Sequence, residues 1–172
     1  MADPILETER MVFTTWTAED LPLMIELHSD PEVQRFLGGC WSSDVFAATL
    51  DRQLRSQARF GFCKWRVHLK DGTFVARAGV EPWLREGEGC GAEAEIGYAF
   101  KRAYWGHGLA TEAAAGIAAW VFANTGYDHL IGFTEPENAA SQQVLTKIGM
   151  RPLGLQDLGF DKPSAVFRVE RP

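Results

Sequence analysis

A helix can grip an anion only where its first amides lie bare. Residues 104–113, YWGHGLATEA, have the composition of such a place. Gly106 and Gly108 precede a run of small residues, at the point where a strand-like stretch gives way to a helix-like one. Glycine removes the Cβ that would hold a ligand off the backbone. The unpaired N–H groups and the dipole of a first helical turn then favour negative charge. The chemistry on offer is phosphate binding by main chain.

Three phosphate loops look alike here, and register separates them. A Walker loop ends in Gly-Lys-Ser/Thr, and no lysine follows these glycines. A dinucleotide fingerprint needs Gly or Ala five residues after its first glycine, and from Gly106 that count reaches Thr111. The coenzyme A diphosphate loop, Gln/Arg-x-x-Gly-x-Gly/Ala, is met at Gly108 and Ala110 and missed at Trp105. Taken alone, the run also fits a plain tight turn ahead of a helix.

The elements that must position this loop can be read from period and punctuation. RMVFTTW (10–16) reads as a strand, and TAEDLPLMIELHSD (17–30) as a Thr-capped helix with Leu21, Met24, Ile25 and His28 on one face. DPEVQRFL offers a short helix, and residues 42–60 a longer one with Val45, Phe46, Leu50 and Leu54 as its apolar stripe. FCKWRVHL (62–69) alternates, Asp71-Gly72 marks a hairpin, and 73–83 is the returning strand. Residues 85–91 form a loop, and 92–100 a fourth strand whose interior Gly97 marks a bulge or a close approach of backbone. A helix over 109–124 closed by Gly126 follows, then a short strand (129–135). The chain ends with a helix (137–149) capped by Asn138 and stopped by Gly149, and strands near 150–157 and 164–170. The order predicts an α+β fold, a mostly antiparallel sheet with helices on both faces.

Composition narrows the function. At 172 residues the chain is expected to form one domain, 1–172, with a core that needs no metal or disulfide. Its net charge of −6 argues against nucleic acid, which needs a basic face. No segment suits a signal peptide or a membrane span, so a cytoplasmic protein is expected. Cys40, Cys63 and Cys90 are unpaired in spacing, and the four histidines lack metal-ligand spacing, so no metal site is expected.

Three longer stretches carry a family resemblance. ETERMVFTTWTAEDLPLMIELHSDPEVQRFLGG (7–39) resembles the opening of the RimJ/RimL-type branch of the GNAT N-acetyltransferases. AEIGYAFKRAYWGHGLATEA (94–113) is similar to that branch's fourth strand and coenzyme loop, where Tyr-Trp-Gly routinely replaces the Gln/Arg start. ENAASQQVLTKIGM (137–150) resembles its Asn-x-x-Ser helix, with Met150 in place of the usual Phe.

The resemblance implies the GNAT fold, with a V-shaped opening between the fourth and fifth strands, and acetyl-CoA as co-substrate. The backbone of Ile96, Tyr98 and Phe100 would pair with pantetheine. The amides from Gly106 through His107, Gly108, Leu109 and Ala110 to Thr111 would cradle the diphosphate. Asn138 would reach the pantetheine, and Ser141 would sit near the thioester sulfur. Lys101, Arg102 and His107 would meet the 3′-phosphate end or form a solvated rim.

Acetyl transfer to an amine needs a neutral amine and a protonated leaving thiol. An α-amine is already about 10–20% neutral at pH 7, a lysine only about one molecule in 2,500, so the acceptor decides how strong a base is needed. Glu95 is expected to be that base, the alternative being that Glu93 and Glu95 line a solvated strand face. Ser141 or a water would protonate the sulfur, since Leu145 stands where many relatives of this type carry tyrosine; Tyr98 and Tyr104 are further candidates. Glu112, in a first helical turn, reads as structural. Trp41, Trp83, Phe36 and Phe160 are candidates to line an acceptor surface. The partners expected are acetyl-CoA and an amine acceptor, a peptide N-terminus or a small molecule, bound by a monomer or homodimer. The competing reading is a binding module that holds acyl-CoA without catalysis.

Overall fold

The computed structural model describes residues 3–83 and 93–172. The loop expected at 85–91, with Cys90, lies outside them.

The elements, in chain order, are β1 (Leu6–Glu7), β2 (Met11–Thr14), α1 (Leu21–His28), α2 (Pro31–Gln34), α3 (Ser43–Phe60), β3 (Lys64–Leu69) and β4 (Phe74–Trp83). They continue with β5 (Glu93–Phe100), α4 (Leu109–Asn124), β6 (His129–Thr134), α5 (Ala139–Lys147), β7 (Arg151–Gln156) and β8 (Ser164–Glu170). All eight strands join one sheet in the order β1-β2-β3-β4-β5-β6-β8-β7. Every neighbouring pair is antiparallel except β5 and β6, which run parallel because α4 carries the chain between them. The short β1 is additional to the expected order, so the fourth and fifth strands of the sequence reading are β5 and β6.

Local chemistry explains the boundaries. Gly72 takes φ 90° and its N–H reaches the Leu69 carbonyl, which closes the β3–β4 hairpin. Thr17 opens the first helical segment through its N–H and hydroxyl, both donated to Asp20, and a 3-10 turn over Ala18–Asp20 precedes α1 proper. The buried face of α1 is Met24, Leu27 and His28, while Ile25 faces solvent. On α3, Phe46 and Leu50 are buried and Val45 is exposed. Gly149 ends α5 with φ 87°, as its type suggested. The end of α4 differs from expectation: Thr125, not Gly126, closes it, donating both its N–H and its hydroxyl to Val121 O.

Two glycines let the layers approach. On β4, a Cβ at Gly79 would stand 2.1 Å from the Cys63 carbonyl oxygen and 2.7 Å from Lys64 Cα. On β6, a Cβ at Gly132 would meet Leu145 Cδ2 at 2.8 Å. Backbone cannot yield as a side chain can. Gly79→Ala is therefore expected to cost more than about 3 kcal/mol and Gly132→Ala about 1–3 kcal/mol, and urea unfolding of the two variants checks that ranking.

Candidate active site

The glycine loop presents a row of unused backbone amides. Gly106 and Gly108 adopt φ 79° and 77°, the left-handed region that excludes most side chains, and Gly108 is the residue from which α4 starts. The first amide of α4 to be used internally is that of Glu112, which donates to Gly108 O. Among the described residues, none accepts from the N–H groups of Gly106 through Thr111. The glycines thus serve conformation as well as ligand clearance.

Glu112 holds this loop in place. Its carboxylate accepts from the Thr8 hydroxyl at 2.7 Å, the Arg10 amide at 2.8 Å and Arg10 Nε at 2.6 Å. Arg10 Nη1 in turn donates to the His107 carbonyl at 2.8 Å. The turn between β1 and β2 is thereby tied to the loop and to the first turn of α4. Burial pushes the Glu112 carboxyl up, but the bonds from Thr8 and Arg10 outweigh it and hold the group below its ordinary value. The structural reading of Glu112 agrees with this geometry.

Next to the loop the sheet opens. β5 pairs with β4 along its whole length, from Glu93 opposite Trp83 to Phe100 opposite Ala76. It meets β6 at one position, Glu95 opposite Ile131. The Lys101 N–H bonds Val75 O on β4, so by alternation Ile96, Tyr98 and Phe100 turn their main-chain groups toward β6. Those are the three residues expected to face pantetheine. The Phe100 carbonyl is already taken, by the Trp105 indole N–H at 2.8 Å. That bond accounts for a tryptophan at the start of the loop.

A cleft of about 1280 Å³ passes through this opening. Its wall includes Lys64, Glu81, Glu95 and Gly97 from the α3 side of the sheet, and Tyr98, Asn138 and Ser141 from the α5 side. Phe36, Trp41, Trp83 and Phe160 also border it. Glu95 is buried, at 7% exposure, and its Oε2 lies 2.6 Å from Lys64 Nζ. The alternative of a solvated strand face is excluded for Glu95. Glu93 is bound by His129 Nε2 at 3.1 Å, away from the cleft wall.

Gly97 is not at a bulge: the β4–β5 register runs through it without a shift. Nor is backbone what approaches it. A Cβ there would stand 2.5 Å from Lys64 Cε and 2.6 Å from Lys64 Nζ, so the glycine makes room for a lysine.

On the other side, Asn138 caps α5 by accepting from the Ser141 N–H at 3.1 Å. The Ser141 hydroxyl lies 3.1 Å from the Tyr98 hydroxyl. Burial raises the Tyr98 phenol to about 12, with the negative charge of Glu95 adding to the rise and the Ser141 bond opposing it. Tyr98 therefore stays a donor at neutral pH. Leu145 is buried in the core against Gly132. Lys101 and Arg102 are paired with Glu26 and Asp30 at 2.6 and 3.2 Å, which draws both toward α1 and α2. His107 remains exposed on the loop.

Residues that spacing did not reveal complete the α3 side. Lys64 Nζ also meets Glu81 Oε2 at 3.2 Å, Arg52 Nε lies 3.4 Å from Glu81 Oε1, and Gln53 donates to the same oxygen at 2.8 Å. Arg77 is buried behind them and donates to His28 Nε2 at 3.2 Å. Desolvation, with Arg77 beside it, drives His28 down to about 2, so the imidazole is a neutral acceptor.

Residues 10–151 match the family described as acetyltransferase (GNAT) domain. The chain belongs to that family. YnaD of Bacillus subtilis, named an uncharacterized N-acetyltransferase, is 40% identical over 151 residues, covering 87% of this chain and 84% of YnaD. Among solved structures, an Agrobacterium tumefaciens acetyltransferase superposes with TM-score 0.84 at 22% identity, covering 99% of this chain and 96% of that one. A RimL ribosomal-protein α-N-acetyltransferase in complex with coenzyme A has TM-score 0.78 at 12% identity, covering 98% of each. The fold is that of the GNAT acetyltransferases, shared with RimL, and the family's reaction is N-acetyl transfer. No helix among the described residues is long and apolar enough to cross a membrane.

The ion pairs give the site a pH signature. Burial would raise Glu81, but Lys64 foremost, with Arg52, Arg77 and Gln53, holds it down to about 2. A folded-state value below the unfolded carboxylate value, about 4.3, stabilises the fold above that pH. The contribution fades as pH falls toward 2. Glu81→Gln is expected to lower stability at pH 7 and to flatten its pH dependence between about 4.5 and 2, as read by urea unfolding across that window.

Proposed function

We propose that this GNAT enzyme moves an acetyl group from acetyl-CoA to a primary amine, a protein N-terminus or a small amine, by direct transfer with no covalent enzyme intermediate. The observation that carries this reading is one continuous cleft lined from both faces of an opened sheet. A donor seated on the amides of Gly106 to Thr111 can lay its arm along β5 toward Tyr98 and Ser141. An amine entering from the α3 side reaches Glu95. The two meet where β5 and β6 part, and neither has to cross a closed sheet.

The residues divide the work. Asn138 orients the donor arm from the start of α5. A main-chain N–H of β5 facing the gap stabilises the oxyanion, a contribution of about 3–4 kcal/mol when well aimed. The amine nitrogen bonds to the carbonyl carbon, Glu95 takes the proton the nitrogen sheds, and the carbon–sulfur bond breaks. Tyr98 and Ser141 donate hydrogen bonds to the departing thiolate, whose proton returns through Ser141 or a water. A thiol resembling cysteine, with a value near about 8.5, leaves readily enough for weak donors to suffice. Tyr98 thereby meets the need that Leu145 leaves open, and this favours catalysis over the binding-module alternative.

RimL, a ribosomal-protein α-N-acetyltransferase, was solved with coenzyme A bound. That supports acetyl-CoA as donor here and a peptide N-terminus as one acceptor class.

Thiol release from acetyl-CoA, measured with a panel of peptides and small amines, tests the proposal. Glu95→Gln is expected to lower kcat by about 10²–10⁴-fold while coenzyme A binding is retained. A variant as fast as the wild type would remove Glu95 from the role of base. Thermal stabilisation by acetyl-CoA without thiol release for any amine would favour the binding module.

A further inference from the structure

We propose that Lys64 is the positioning residue of the acceptor site. Its ammonium, seated between Glu81 and Glu95 in the space left by Gly97, fixes the Glu95 carboxylate in place at the cleft wall. The inference rests on the reading of Glu95 as the base.

The seat is built for the lysine. Nζ lies 2.6 Å from Glu95 Oε2 and 3.2 Å from Glu81 Oε2, with the Lys64 and Glu95 side chains only 15% and 9% exposed. A surface pair contributes little, but a desolvated one is strong once geometry and further hydrogen bonds complete it. Here they do: Gln53 donates to Glu81 and accepts the Lys64 amide N–H, each at 2.8 Å, so α3, β3 and β4 share one network. An alanine at 97 would drive its Cβ into the last two atoms of Lys64 and to 2.9 Å from Glu95 Oε1, so the glycine leaves room for the pair.

Charged groups pack around Glu95 from two strands and a helix. Lys64 faces it from β3, Glu81 and Arg77 from β4, and Arg52 from α3 by way of Glu81; Tyr98, on β5 itself, is neutral. Lys64 is the cation in direct contact with it, at 2.6 Å. As the acceptor amine bonds to the carbonyl carbon and the carbon–sulfur bond breaks, the proton lost by nitrogen passes to Glu95. Removing Lys64 takes away both the contact that holds the carboxylate and the cation nearest to it, and loss of a neighbouring positive charge moves the acid limb of the reaction to higher pH.

The test is the pH profile of kcat and kcat/KM. Lys64→Met is expected to move the acid limb up by about one pH unit or more and to lower the rate at pH 7 at least about tenfold, with coenzyme A binding retained. Lys64→Arg should bring the limb back toward the wild type. Lys64→Gln, which deletes the charge but keeps a polar tip, should shift the limb the same way and serves if Lys64→Met does not fold. Carboxyl ¹³C NMR, with the Glu95 signal assigned through Glu95→Gln, reads the clamp without turnover: at pH 7 the Glu95 signal should move between the wild type and Lys64→Met. A rate loss with an unmoved limb, no return with arginine, or an unmoved Glu95 signal would overturn the proposal. Absence of thiol release by the wild type would overturn the reading of the reaction, leaving the NMR result to judge Lys64.

Discussion

The constraint on which the site depends is that β5 is fully paired on one side and almost unpaired on the other. Unpaired main-chain groups inside a protein are costly unless something satisfies them. Here the sheet opens from its interior, between two central strands and not at an edge, so Ile96 and Tyr98 line a cleft where water or a ligand can reach them. The parallel direction of β6 follows from the α4 crossover. The same crossover sets the bare first turn of α4 beside the opening. The unused amides ahead of α4 and the parted strands are therefore consequences of one connection.

Holding such an opening takes stiffness around it. Arg10 and Thr8 tie Glu112, and hence the start of α4, to the β1–β2 turn, while the Trp105 indole pins the loop to the end of β5. Both ties use groups of the protein on its own scaffold and leave the Gly106–Thr111 amides unused. A carboxylate in the first turn of a helix suits the dipole, and Glu112 does so from the flank, where it does not compete with an incoming diphosphate.

The fold is legible where period and punctuation are local. The Asp71-Gly72 hairpin, the Asn138 cap, the Gly149 stop and both glycines of the loop can be read because a turn's chemistry sits in two or three adjacent residues. What depends on distant partners cannot. Thr125 closes α4 where the residue types point to Gly126, because a side chain bonding back one turn can do what a left-handed glycine does. Gly97 suggests a bulge or a close backbone approach, and its true reason, Lys64, lies 33 residues earlier on a strand not adjacent to β5. Lys101 and Arg102 are candidates for a phosphate by sequence, but Glu26 and Asp30 are far off in the chain and claim them. Glu95 is singled out by resemblance, while alternation alone would put it on a solvated face with Glu93; its burial comes only with the tertiary structure.

The charges around Glu95 act on one another more strongly than the overall charge of the chain acts on them. At −6 overall, the protein surface attracts cations only weakly beyond a Debye length of about 8 Å at physiological salt. Inside the cleft, screening fails and the nearest charges dominate. Lys64, Arg77 and Arg52 sit there against Glu81 and Glu95, and every one of them except Arg52 is largely withdrawn from solvent. Such a cluster is a weak source of stability, since apolar residues of the same size often serve a core as well or better. Its place where the sheet opens, with Lys64 2.6 Å from Glu95, fits the positioning role proposed for that lysine better than a stabilising one.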